Sequence, residues 1–142
     1  MTPEDQAKAV FSKFVEEGLN KKNMMAIADE ILAPDLVIEA PGVPEAAGRA
    51  NGKDIYIQSV LGFTGAFPDV QCSMPYLVAN GRTVAADLAY HGTHTGDFLG
   101  VAPTNKHVHA GELWFCRINE SGKINYVRIC EYGTPLMALL KG

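Results

Sequence analysis

Hydrophobic positions change rhythm half-way along the chain. Up to about residue 67 they recur at the three-to-four spacing of helices, and beyond it they alternate as in strands. Thr2-Pro3-Glu4-Asp5 has the make-up of a helix start: a capping hydroxyl, proline at the first helical position, and acids where the dipole favours them. Ala7, Val10, Phe11, Phe14, Val15 and Leu19 then form one apolar face of a helix ending near Gly18 to Asn20. A second short helix covers about Met24 to Leu32 and stops ahead of Pro34. Leu36-Val37-Ile38-Glu39 reads as a strand closed by Pro41-Gly42, and Pro41 to Asn51 reads as a loop rich in Gly, Pro and Ala. A third helix begins near Gly52-Lys53-Asp54, carries Ile55, Val60 and Phe63 into the core, and must end before Pro68.

Four β-rich runs follow: Val70 to Ala79, Thr83 to His94, Lys106 to Ile118 and Ile124 to Tyr132. Asn80-Gly81, a Gly/Pro loop and Ser121-Gly122 separate them, which predicts an antiparallel meander. Leu136 to Leu140 is an apolar tail of about one helical turn. Helices first and a meander after is the pattern of an α+β fold. With 142 residues the chain is expected to form one domain, 1–142.

Composition narrows the partners. A net charge of −4 with scattered charges offers phosphate no basic face, so neither nucleic acid nor an anionic membrane is expected. No apolar run approaches the ~20 residues of a membrane span. The acidic start MTPEDQ is unlike a signal peptide, so a cytoplasmic protein is expected. Cys72, Cys116 and Cys130 are odd in number and lack C-x-x-C spacing, which predicts reduced core thiols. The four histidines show no H-x-x-x-H spacing and no acid at ligand spacing, so no metal site is expected. By alternation His91, His107 and His109 face outward as interface or solvent groups, whereas His94 faces inward.

Four segments then carry a resemblance: Ala33-Pro34-Asp35-Leu36-Val37-Ile38, Phe67-Pro68-Asp69, the run Gly92-Thr93-His94-Thr95-Gly96-Asp97-Phe98-Leu99-Gly100-Val101-Ala102-Pro103-Thr104, and Gly122-Lys123-Ile124. In this order they resemble the SnoaL-like polyketide cyclase family, a branch of the nuclear-transport-factor-two-like fold, over nearly the whole chain. The resemblance implies a cone, a curved antiparallel sheet packed on the N-terminal helices (a cystatin-like α+β barrel) around one small-molecule pocket. In the family's cyclases an acid on the closing strand acts on an acidic C–H during an intramolecular aldol condensation, without metal or organic cofactor. Limonene epoxide hydrolases share the cone and use an acid at a similar point to activate water. Counted forward from Gly122-Lys123-Ile124, the family's aspartate falls on Ile129. Counted backward from its acid-then-aromatic pair, it falls on Glu131, followed by Tyr132. Glu112 and Trp114 align with positions that carry polar residues in the cyclases.

The turn at Ser121-Gly122 decides what these residues can do. A two-residue hairpin loop puts Glu112 opposite Glu131, and Trp114 opposite Ile129, on one face. Leu113, Phe115, Arg128 and Cys130 then take the other. Two carboxyls side by side among apolar groups cannot both ionise cheaply, so one is pushed toward neutral pH and serves as acid while its partner serves as base. A three-residue loop would instead separate them. Glu131, Glu112 and His94 are the catalytic candidates, with a structural hydrogen bond to the following loop as the other role for His94. Trp114, Tyr90, Ile129, Phe14, Phe63 and Tyr56 are the candidate substrate-binding residues, and Met74 is a further lining candidate. Three functions stay open: an acid–base enzyme (cyclase or isomerase of secondary metabolism) on a small, largely apolar or polycyclic carbonyl compound, an epoxide-hydrolase-like enzyme, and a binding protein without turnover. The apolar outer residues Ala85, Ala89, Leu113 and Phe115 predict a sheet-to-sheet homodimer.

Overall fold

A computed structural model describes residues Met1–Gly142. Helix α1 (Pro3–Lys13) opens with Thr2 as a capping box: its hydroxyl accepts from Asp5 N–H while the Asp5 carboxylate accepts from Thr2 N–H. The helix does not end there but widens into a π-helical stretch, Phe14–Asn20. That widening lets Asn20 reach across to the sheet, where its side chain exchanges two hydrogen bonds with the backbone of Cys72, at 2.7 and 3.0 Å. Helix α2 (Met24–Ile31) runs straight into strand β1 (Leu32–Glu39), which starts earlier than expected and passes through Pro34.

The supposed loop after β1 contains a short helix, α3 (Glu45–Ala50), ahead of α4 (Gly52–Ala66). The glycines that suggested a loop are there for contact instead. A Cβ on Gly48 would come within 2.1 Å of Ile38 O, and one on Gly52 within 1.9 Å of Leu36 O, so both helices lie directly against β1.

Strands β2 (Gln71–Asn80), β3 (Thr83–Thr93), β4 (His107–Ile118) and β5 (Ile124–Tyr132) form the expected meander, and α5 (Leu136–Lys141) follows. The sheet order is β1-β5-β4-β3-β2. The expectation of a wholly antiparallel sheet is corrected at one edge, where β1 pairs with β5 in parallel. The helices pack on this curved, mixed sheet. Both edge strands carry a proline at an irregular point, Pro34 in β1 and Pro75 in β2. Proline removes a backbone donor there and discourages pairing with another chain.

Inside, Phe11, Phe14, Tyr56 and Trp114 pack at ring separations of 5.2–6.0 Å and join the helices to the middle of the sheet. Cys116 is in this core, but Cys130 is exposed on the outer face, contrary to the expectation of three core thiols. No helix is long and apolar enough to cross a membrane.

Candidate active site

The register of β4 and β5 places the two candidate acids. Glu112 pairs with Glu131, and Trp114 with Ile129, as a two-residue hairpin would require. The connection is in fact longer: Ile118 pairs with Ile124, leaving Asn119–Lys123 as the turn. Asn119 braces it by accepting from Lys123 N–H at 3.0 Å. Asn125 then lies unpaired between Ile124 and Tyr126. This bulge restores the register that the longer turn would have shifted.

Glu112 and Glu131 both line a cavity of about 550 Å³ between the sheet and α4. Phe14, Tyr56, Phe63, Tyr90, Trp114 and Ile129 line it too, so all six candidate substrate-binding residues share one wall system. Seventeen of the 25 lining residues are hydrophobic, which suits a small, mainly apolar ligand.

The two carboxyls have unlike surroundings. Glu112 has one side-chain donor, Trp114 Nε1 at 3.4 Å. Burial, with Glu131 adding like charge, pushes its pKa up to about 7 despite that donor. Glu131 is half-buried and accepts the Leu136 N–H at 2.9 Å, which ties it to the start of α5. Lys106 holds the other end of α5 by donating to the carbonyls of Leu139, Leu140 and Gly142.

Neutral donors complete the wall. Burial raises the Tyr56 phenol well above its usual pKa, and its hydroxyl has no hydrogen-bond partner. Burial, then Glu112, raises Tyr90 likewise. Burial also pushes the Cys72 thiol up to about 12, which keeps it a thiol rather than a nucleophile.

The SnoaL-like polyketide cyclase model matches residues 9–139 of this sequence. The chain belongs to that family. No curated protein sequence matches it. Among solved structures this SnoaL-like protein is similar to AclR of Streptomyces galilaeus, described as a candidate hydroxylase, with a TM-score of 0.78 and 24% identity over 97% of this chain and 82% of that one. It is also similar to IdmH of Streptomyces antibioticus, described as a candidate polyketide cyclase, with a TM-score of 0.72 and 24% identity over 96% and 99% of the two chains. A third likeness is to an epoxide hydrolase of M. tuberculosis related to the limonene enzymes, with a TM-score of 0.66 and 15% identity over 91% and 80%. At these identities the likeness is one of fold.

His94 stands apart from the SnoaL-like cavity. It is fully buried but does not line the cavity, and Nδ1 accepts from Thr104 N–H at 3.1 Å. The loop contact expected for His94 is therefore present. Met74 packs against the core and is also absent from the lining.

Sequence reasoning missed the polar lining residues Gln58, Ser59 and Asp97, and the two α5 residues Leu136 and Met137. Ser59 was within reach, because it follows Tyr56 by three residues and lies on the same helical face beside Val60 and Phe63. Asp97 lies inside the Gly92–Thr104 run, where a polar loop residue at a pocket mouth is a signal in its own right.

Proposed function

We propose that this SnoaL-like protein is an acid–base enzyme acting on a small, largely apolar carbonyl compound. The reaction would be an intramolecular aldol cyclisation or an isomerisation. The observation that carries this reading is the facing pair Glu112–Glu131 in an apolar cavity, with Glu112 pushed up to about 7. Glu131 serves as base, taking a proton from the carbon next to the carbonyl. Glu112, protonated near neutrality, donates to the oxygen that gains charge. The aromatic wall formed by Phe14, Tyr56 and Trp114 positions the ring system and excludes water. The two carboxyls supply this proton transfer by themselves.

The test is turnover of a panel of polycyclic ketones and epoxides by the intact chain and by Glu131→Gln. The variant should lose roughly 10²–10⁴-fold in rate on a ketone substrate while keeping its fold. Full activity in the variant would end this assignment. Turnover of epoxides alone would move the protein to the hydrolase reading, and saturable binding without turnover to the binder reading.

The outer face of the sheet supports a homodimer in this proposal. Tyr76, Val78, Leu113 and Phe115 are 72%, 60%, 53% and 39% exposed, apolar groups that a second copy of the sheet would cover. Light scattering at micromolar concentration should give twice the chain mass. A monomer would refute it.

A further inference from the structure

Three imidazoles meet on the outer face of the sheet, away from the carboxyl pair. His91 of β3 pairs directly with His109 of β4, and His107 pairs with Thr93. All three histidines are exposed, and each pair of rings lies 5.3 Å apart. They sit about 20 Å along β4 from the apolar patch at Phe115, at the strand rise of ~3.3 Å per residue.

The proton on His107 is fixed by its neighbours. Asp69 accepts the Thr93 N–H at 2.7 Å and lies 2.8 Å from Thr93 Oγ1. These Thr93 contacts hold the Asp69 carboxyl below its ordinary pKa, so it is ionised at neutral pH. A carboxylate only accepts, so the threonine hydroxyl gives its one proton to Asp69. His107 Nδ1, 2.8 Å from the same Oγ1, is then the donor and carries the ring proton. Nε2 of His107 is left with its lone pair, facing His91 Nδ1 at 3.2 Å.

That arrangement has the form of a metal ligand with its outer support. Histidines that bind metals commonly donate their second N–H to a group that fixes the ring, here Thr93 backed by Asp69. The separation fits as well. Zinc–nitrogen bonds of about 2.0–2.1 Å subtend an angle of roughly 100° across such a gap, near the tetrahedral value.

We propose that His91 Nδ1 and His107 Nε2 together form a surface site for a divalent transition-metal ion of the zinc class. No three ligand side chains converge on one point. Water fills the remaining positions, and the His109 ring stacks on His91 at 27° beside them. Binding replaces the N–H···N contact with two N–metal bonds. The proton that His91 Nδ1 gives up is regained from solvent on Nε2 of the same ring, so the ligand stays neutral and no net proton is released. Imidazole donors favour zinc, nickel or copper over magnesium. Nothing in this site depends on the acid–base reading of the cavity.

The experiment is calorimetric titration of the untagged chain with zinc chloride and with magnesium chloride at neutral pH. Zinc should bind with one ion per chain, and magnesium should not. His107→Ala should weaken zinc binding at least tenfold, and Asp69→Asn, acting through Thr93, by about 10–100-fold. Nitrogen NMR of the imidazoles should show His107 protonated on Nδ1 in the metal-free chain, and a mixture of tautomers in Asp69→Asn. Zinc binding unchanged in the double variant His91→Ala/His107→Ala would overturn the site, and so would a His107 protonated on Nε2.

Discussion

Glu39 sits at the β1–β5 edge and accepts from Arg128 at 2.7 and 3.1 Å, from the Tyr126 hydroxyl at 3.0 Å and from Arg49 at 3.3 Å. Glu112 belongs to the same sheet but faces the cavity, with one indole N–H at 3.4 Å and another carboxyl opposite. The Arg128 hydrogen bonds hold Glu39 below the ordinary carboxylate range, whereas burial drives Glu112 up to about 7. Chemistry in this fold is thus set by the face a residue takes on a strand. Outward carboxyls find cations and stay ionised, while inward ones meet apolar walls and each other.

The sharpest way to break this comparison is through rate. Glu112→Gln and Glu131→Gln should each cost roughly 10²–10⁴-fold in kcat on a carbonyl substrate. With Glu112 acting as an acid, the intact enzyme should slow as pH rises through about 7, and Glu112→Gln should abolish that limb. A profile that keeps its alkaline limb in Glu112→Gln assigns the limb to another group.

Next in size is the aromatic wall. Trp114 is 6% exposed and touches Phe11, Phe14 and Tyr56. Trp114→Ala should lower stability by about 3–5 kcal/mol in urea denaturation. A loss under ~1 kcal/mol would mean that the aromatic group does not join helix to sheet.

Glu112 also has a stability signature. Its folded pKa lies above the unfolded value, so the native state holds its proton more tightly. Its contribution is whole below the unfolded pKa near 4.5 and is lost as pH rises toward and past about 7. The chain should therefore lose up to about 3 kcal/mol between pH 5 and pH 8 from this group. Glu112→Gln should be the more stable protein at pH 8, with less change in Tm between the two. Equal pH slopes for both proteins would place the carboxyl in water. The smallest effect is expected outside: Arg128→Ala opens only an exposed ion pair and should leave Tm nearly unmoved.

Much of this was legible in the sequence, for physical reasons. The period of two in β3 and β4 placed Leu88, Tyr90, Glu112 and Trp114 inward, and the capping residues of α1 marked its start. What stayed hidden depends on contacts between distant segments. Gly48 and Gly52 read as loop glycines, and only the carbonyls of Ile38 and Leu36 reveal that they are packing surfaces. The parallel pairing of β1 leaves no local trace. Leu136 and Met137 reach the cavity because Glu131 and Lys106 hold the two ends of α5, neither of which is visible from an apolar tail. The outward direction of His91 and His107 could be read from alternation, but not their meeting, because they come together across the sheet and not along the chain.

The unpaired Asn125 makes the identity of the site a matter of parity. Asn125 is surplus to the strand count, so a chain lacking it should still pair Tyr126 with Arg117, and hence Glu131 with Glu112. Deleting Arg128, an exposed residue three places further on, has the opposite consequence. Cys130 would move opposite Trp114 and into the cavity, and Glu131 would turn outward beside Leu113. Two single-residue deletions in one strand would thus leave similar sheets, one with its acid pair and one with the Tyr132 phenol opposite Glu112.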